Sequence, residues 1–111
     1  MFRANVSVEA AFGDLTVFLL PGIVTEGHFL LGLAVEVDEE LRHARPTPPV
    51  KLSLVWPDGE ETLPLGSSQG VGGGDYMSVS AEFEGDFAAC LPPFVRASFR
   101  EWTVDLPLTL A

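Results

Sequence analysis

From Phe2 to Phe12 every even position is apolar (Phe2, Ala4, Val6, Val8, Ala10, Phe12), while Arg3, Asn5, Ser7 and Glu9 hold the odd ones before Ala11. Successive side chains on a strand point to opposite sides, so a period of two over this length predicts a β-strand with one buried face. Gly13-Asp14 breaks the pattern. Leu15 to Leu20 is apolar on both faces apart from Thr16, as a central strand is, and Pro21-Gly22 predicts a turn. From His28 to Val37 the apolar face carries Phe29, Leu31, Leu33, Val35 and Val37. The small Gly32 and Ala34 on the other face predict close approach by another element.

Asp38 to Pro49 is the longest linker, with room for one helical turn at Glu39 to His43 before Pro46 stops it. A hairpin follows. Val50, Leu52, Leu54 and Trp56 alternate with more polar neighbours, Pro57-Asp58-Gly59 punctuates, and Leu63 and Leu65 resume the alternation. A three-residue loop, Pro57 to Gly59, sets Trp56 opposite Glu60 and sends Leu63 and Leu65 to the wrong face. The apolar pattern therefore predicts Trp56 opposite Glu61, Leu54 opposite Leu63 and Leu52 opposite Leu65. A four-residue loop, Pro57 to Glu60, gives that register; a two-residue Asp58-Gly59 turn does too, but leaves Pro57 without the N–H its pairing calls for.

Gly66 to Gly74 reads as a flexible loop, because glycines offer little to pack and lose much entropy on ordering. Met77, Val79, Ala81 and Phe83 then alternate with Ser78, Ser80, Glu82 and Glu84 in another half-buried strand. Gly85-Asp86 ends it, and Phe87 to Pro93 reads as a crossing segment. Val95, Ala97 and Phe99 fall on odd positions, but Trp102, Val104, Leu106, Leu108 and Leu110 on even ones. The phase slips at Arg100-Glu101, as at a β-bulge or where a strand leaves one sheet for the other. About eight strand-like segments and no helical periodicity predict an all-β chain. The expected fold is an antiparallel β-sandwich, immunoglobulin-like or jelly-roll-like, with a small closed β-barrel as the alternative.

A length of 111 residues predicts one domain, spanning 1–111. The apolar share of 47% and mean hydropathy of +0.28 exclude a disordered chain and leave more apolar material than so small a body can bury alone. Sixteen acidic against six basic residues give a net charge of −10. That field repels phosphate backbones and anionic headgroups, so nucleic acid and membrane surfaces are poor partners, whereas a basic protein or a cation suits it. The single Cys90 precludes an intramolecular disulfide, and the alternating N-terminus is unlike a secretory signal; a cytoplasmic protein is expected. Without secretion, the acceptor pattern Asn5-Val6-Ser7 carries no weight.

Candidate chemistry is thin. Gly66-Ser67-Ser68-Gln69-Gly70 matches G-x-S-x-G, but the nucleophile elbow needs a helix after the Ser, and Val71-Gly72-Gly73-Gly74 cannot start one. The same glycines lack the Lys and the strand-to-helix setting of a phosphate loop. Cys90 lies in the apolar run Phe87 to Leu91, the wrong setting for a reactive thiolate with His28 or His43, and the Cys and His ligands are too few for zinc. Of three acidic groups (Asp38, Glu39, Glu40; Asp58, Glu60, Glu61; Glu82, Glu84, Asp86), the last is a weak calcium candidate, since calcium takes clustered oxygens. Arg42, His43 and Arg45 beside Pro46-Thr47-Pro48-Pro49 make a basic, Pro-rich patch that reads best as a stiff connection between sheets. Trp56, Tyr76 and Trp102 are the aromatic candidates for partner contact.

No catalytic residue and no cofactor is assigned. The sequence points to a non-enzymatic interaction or structural module that self-associates through an apolar sheet face or an edge strand. The alternatives are a small acidic inhibitor or immunity-type protein that neutralises a basic partner, and a calcium- or carbohydrate-binding sandwich.

Overall fold

The structure, a computed structural model, describes residues 2–5, 8–20, 22–44, 46–71, 74–87 and 92–110. In chain order the elements are β1 (Phe2–Asn5), β2 (Val8–Phe12), β3 (Leu15–Leu19), β4 (Gly22–Thr25), β5 (His28–Glu36), α1 (Glu39–His43), β6 (Val50–Val55), β7 (Glu61–Thr62), β8 (Gly66–Val71), β9 (Tyr76–Glu84), β10 (Phe94–Phe99), β11 (Trp102–Pro107) and β12 (Thr109–Leu110). All strand pairs are antiparallel.

β3 and β4 pair with successive parts of β5, and β2 and β1 pair with β3 and β4 in turn. Each couple therefore continues one line, and the larger sheet runs β8–β9–β5–β3/β4–β2/β1–β12. The smaller sheet runs β11–β10–β6–β7. Neither closes on itself, so the barrel alternative is set aside. The turn expected at Pro21-Gly22 falls partly outside the described residues, but β3 and β4 on its two sides both run antiparallel to β5, without reversing. The register slips between Leu19↔Leu33 and Ile23↔Leu30, with the Leu20 N–H donating to the Gly32 carbonyl at 2.9 Å, and the chain carries on beside β5. Such an extra residue is what a bulge inserts. The reversal comes at Glu26-Gly27, which joins the Thr25↔His28 pair.

Period-two patterning puts Phe12, Val17, Leu19, Val24, Phe29, Leu31, Leu33, Val35, Met77, Val79 and Phe83 inside from the larger sheet. Leu52, Leu54, Val95, Ala97, Phe99 and Leu106 come from the smaller one, and all join one core. Each large aliphatic or aromatic side chain so buried is worth about 1.5–3 kcal/mol. Between the sheets, α1 contributes the buried Leu41. Its start is fixed by Asp38, whose Oδ1 accepts the Leu41 N–H at 2.7 Å, and acidic Glu39 and Glu40 suit its positive end. The helical turn expected at Glu39 to His43 is present, and the Pro-rich stretch does connect the two sheets.

Three local expectations are corrected. First, the hairpin pairs Val55 with Glu61 and Leu54 with Thr62, and the Trp56 N–H donates to the Glu60 carbonyl at 2.9 Å. The loop is the three-residue Pro57 to Gly59, with Gly59 at φ 90 in the left-handed region and the Gly59 N–H closing onto the Trp56 carbonyl at 2.9 Å. Turn chemistry overrode apolar pattern, because Leu63 and Leu65 are not needed by this sheet: the chain leaves after Thr62 for the other one. A side chain at position 59 meets open space, so Gly59→Ala tests backbone strain alone. Urea unfolding is expected to register a loss of about 1 kcal/mol with an unchanged slope.

Second, Gly66 to Val71 of the supposed flexible loop is a strand, paired with β9 from Gly66↔Glu82 to Val71↔Met77. Its small side chains are tolerated because β9 supplies the ladder and much of the buried surface. Third, the phase slip at Arg100-Glu101 is neither bulge nor sheet exchange but a two-residue hairpin turn between Phe99 and Trp102. Arg100 adopts φ 55 there, its guanidinium 5.0 Å from the Phe99 ring centroid and 3.9 Å from Glu40.

Candidate functional site

The outer face of the larger sheet carries small, uncharged side chains at its centre. Pairing aligns Phe18, Ala34, Ser78 and Gly70 in one row and Gly32, Ser80 and Ser68 in the next. Apart from Phe18, these side chains are too small to roughen the sheet. Beside them lie Leu20, Ile23, Leu30 and Tyr76, all exposed, with the Tyr76 ring edge-on to Phe18 at 5.9 Å. The Ser68 and Ser80 hydroxyls bond to each other at 2.7 Å. An open depression of about 400 Å³ is lined by Leu30, Gly66, Ser67, Ser68, Ser80 and Glu82.

Carboxylates border this ground. Glu82 sits 3.6 Å from His28 Nε2, and Glu84 is the register partner of His28. Glu36 Oε1 accepts the Thr16 N–H at 3.3 Å.

At the rim of this face lies β8. Strand pairing engages it with β9 alone, so it forms an edge of the larger sheet. Just before it stand the two most exposed large apolar side chains among the described residues, Leu63 at 74% and Leu65 at 60%. β8 is held at mid-length by Gln69, whose Oε1 accepts the Val50 N–H at 2.9 Å and whose Nε2 donates to the Pro48 carbonyl at 2.7 Å and to Met77 Sδ at 3.3 Å. One amide thus ties the edge of the larger sheet to the start of β6.

Of the aromatic candidates, only Tyr76 lies open, on the face just described. Trp56 is half-buried, stacked on Phe87 at 6.2 Å, and its Nε1–H donates to Thr62 Oγ1 at 2.8 Å. Trp102 is half-buried against the core and lies so close to Gly13 that a Cβ there would stand 2.6 Å from the ring. Glu82 and Glu84 point outward on β9 while Asp86 lies past its end, and among the described residues no three Asp, Glu, His or Cys side chains converge to hold a metal ion. The G-x-S-x-G segment is extended strand, not a strand-to-helix elbow. Cys90 and Arg45 lie outside the described residues.

Other charged groups make mostly exposed contacts within the chain. Glu39 Oε2 meets His43 at 3.2 Å, Arg42 donates to the Gly74 carbonyl at 3.3 Å, and Asp58 Oδ1 accepts the Glu60 N–H at 2.9 Å. Outside the smaller sheet, Arg96 donates to both Asp105 oxygens at 2.8 and 3.1 Å and lies 3.5 Å from Glu61, which also accepts from Ser53. The hydrogen bond and charge of Asp105 raise the Arg96 pKa further above its ordinary value.

Sequence reasoning missed the exposed Leu63 and Leu65 because it spent them on the hairpin. The outer apolar strip had a signal, since Leu20 and Leu30 stand at positions where a half-buried strand should be polar. Comparison with protein-family models, with curated proteins and with solved structures found no match to this chain.

Proposed function

We propose that this chain is a non-enzymatic protein–protein interaction or structural module that self-associates along the open side of its larger sheet. The observation that carries this reading is where the uncovered apolar side chains fall. Leu20, Ile23, Leu30 and Tyr76 share the outer face of one sheet, and Leu63 and Leu65 stand at its β8 edge. Scattered exposed leucines are ordinary, but several on one sheet face beside small side chains favour a contact. The scaffold is read as a β-sandwich of the immunoglobulin-like or jelly-roll-like kind, supported by connections that pass from sheet to sheet between β5 and β6, β7 and β8, and β9 and β10. A cytoplasmic setting belongs to the same reading. Light scattering over a concentration series is expected to give a mass rising from the 11.9 kDa chain towards twice that value. A constant monomer mass at high concentration refutes self-association.

The second reading, an acidic inhibitor that neutralises a basic protein, is supported by the net charge of −10 and by Glu82 and Glu84 at the border of the apolar face. Salt separates the two. Capture of a basic partner weakens steeply as salt rises, whereas contact between two acidic copies holds or tightens.

A further inference from the structure

We infer that the outer face of the larger sheet receives a basic amphipathic helix of a partner protein, laid along β5 and β9 over Leu30 and Tyr76, with its cationic side chains on the carboxylates beside them. The inference rests on the second reading above, an acidic chain that captures a basic protein, and names the surface and the form of what it captures.

Strand register sets a carboxylate beside each apolar side chain of this face. Glu82 is the register partner of Leu30 and Glu36 that of Tyr76, while Glu9 is that of the half-buried Phe18. Such cross-strand partners have Cβ atoms about 5 Å apart. Ile23 continues the Leu30 row, and Glu84 lies two residues on from Glu82. His28 approaches Glu82 to 3.6 Å, yet the Glu82 side chain stays 47% exposed. The described Lys and Arg side chains sit elsewhere: Lys51 and Arg96 on the smaller sheet, Arg100 at its hairpin turn, Arg42 on α1. Register leaves this face one basic position, Arg3, out on β1 beyond Ile23. Acids therefore predominate around the uncovered apolar side chains.

Charge complementarity identifies the occupant. A second copy covers the apolar side chains but sets carboxylates against carboxylates. A basic partner covers the same side chains and neutralises the acids beside them. Lys and Arg do both, since their stems lie along apolar surface while their heads reach the charge. Backbone hydrogen bonding identifies the form. β5 and β9 are each paired on both sides, so a segment lying on their face finds no ladder to join. A helix satisfies its own backbone groups and needs none. Tyr76 and Glu82 stand six residues apart on β9, a run of about 20 Å that a helix of about 13 residues matches. Between them the face holds Ala34, Ser78 and Ser80, too small to keep a helix away. Copies of the chain that meet on this face are displaced by such a helix.

The probe is a fluorescent peptide of about 14 residues with leucines at helical spacing and lysines elsewhere, beside a counterpart with Glu at every Lys position. Anisotropy titration with the full chain is expected to show binding of the Lys peptide, weakening as salt rises, and none of the Glu peptide. Hydroxyl-radical footprinting of the complex is expected to protect Leu30 and Tyr76. The double variant Glu82→Lys with Glu84→Lys should bind the Lys peptide about tenfold more weakly or worse. Glu60→Lys with Glu101→Lys makes the same change in net charge away from the face and should weaken binding far less. All four side chains are exposed, so thermal unfolding of both variants should match the parent. Equal weakening by the two pairs, or protection confined to other surfaces, overturns the assignment to this face while capture of a basic partner stands. A Lys peptide that fails to bind at low salt overturns both.

Discussion

Replacing Phe29 by Ala is expected to remove about 3–5 kcal/mol of stability. Phe29 is fully buried on β5, with ring centroids of Phe83 and Phe87 at 6.3 and 5.7 Å. Its edge also fills the space over Gly22, where a Cβ would stand 2.6 Å from Phe29 Cε1. No side chain at position 22 can move into the space left behind, and β5 is hydrogen-bonded along both sides, so the backbone cannot close it. The destabilisation then contains the transfer of the ring out of water, the cavity it leaves, and the ring–ring attraction to Phe83 and Phe87. Against an ordinary domain stability of about 5–15 kcal/mol this is a large fraction, and the melting temperature should fall by roughly 15 °C or more. The neighbouring Leu30→Ala, on the exposed face of the same strand, should cost less than about 1 kcal/mol. Equal effects of the two substitutions would mean that the faces of β5 have been assigned wrongly.

The second large effect is expected at Gln69, and it carries a pH signature. Gln69→Glu keeps an oxygen for the Val50 N–H but loses the donor that serves the Pro48 carbonyl and Met77 Sδ. A carboxylate there faces a carbonyl oxygen, so about 2–3 kcal/mol should be lost at neutral pH. The protonated carboxyl can donate to Pro48 in place of the amide. Its folded-state pKa is therefore raised above the unfolded value of about 4.3. By linkage its stabilising bond is fully present below that unfolded value and disappears as pH rises through the raised folded one. The deficit of the variant against its parent, measured by urea unfolding, should accordingly be small below about pH 4 and full at neutral pH. A deficit independent of pH would show that the amide does not bridge the sheets as described.

Much of the core was readable in the chain, for a physical reason. Where one strand face is buried, a period of two is enforced at every position, so Phe29, Leu31, Leu33 and Val35, or Met77, Val79, Ala81 and Phe83, announce themselves. Pro46 likewise marked locally where the helical turn of α1 must stop. What failed was reasoning that required each apolar residue to be inside. Leu63 and Leu65 were assigned to the hairpin core and forced a wrong loop, although Pro57-Asp58-Gly59 already specified the right one. β8 was hidden because glycine and serine have weak strand preference, and its order comes from pairing with β9, a neighbour that composition cannot reveal. The first of these errors concealed part of the candidate contact surface, since Leu63 and Leu65 belong to it.

Sedimentation equilibrium at low and high salt tests the central claim most directly, because it reads mass and the sign of the charge effect together. Two copies of charge −10 that meet through uncovered apolar side chains should form a dimer whose association strengthens, or at least holds, as salt screens their repulsion. A mass that stays at the 11.9 kDa monomer at every concentration and salt, or a dimer that dissociates as salt rises, would contradict it.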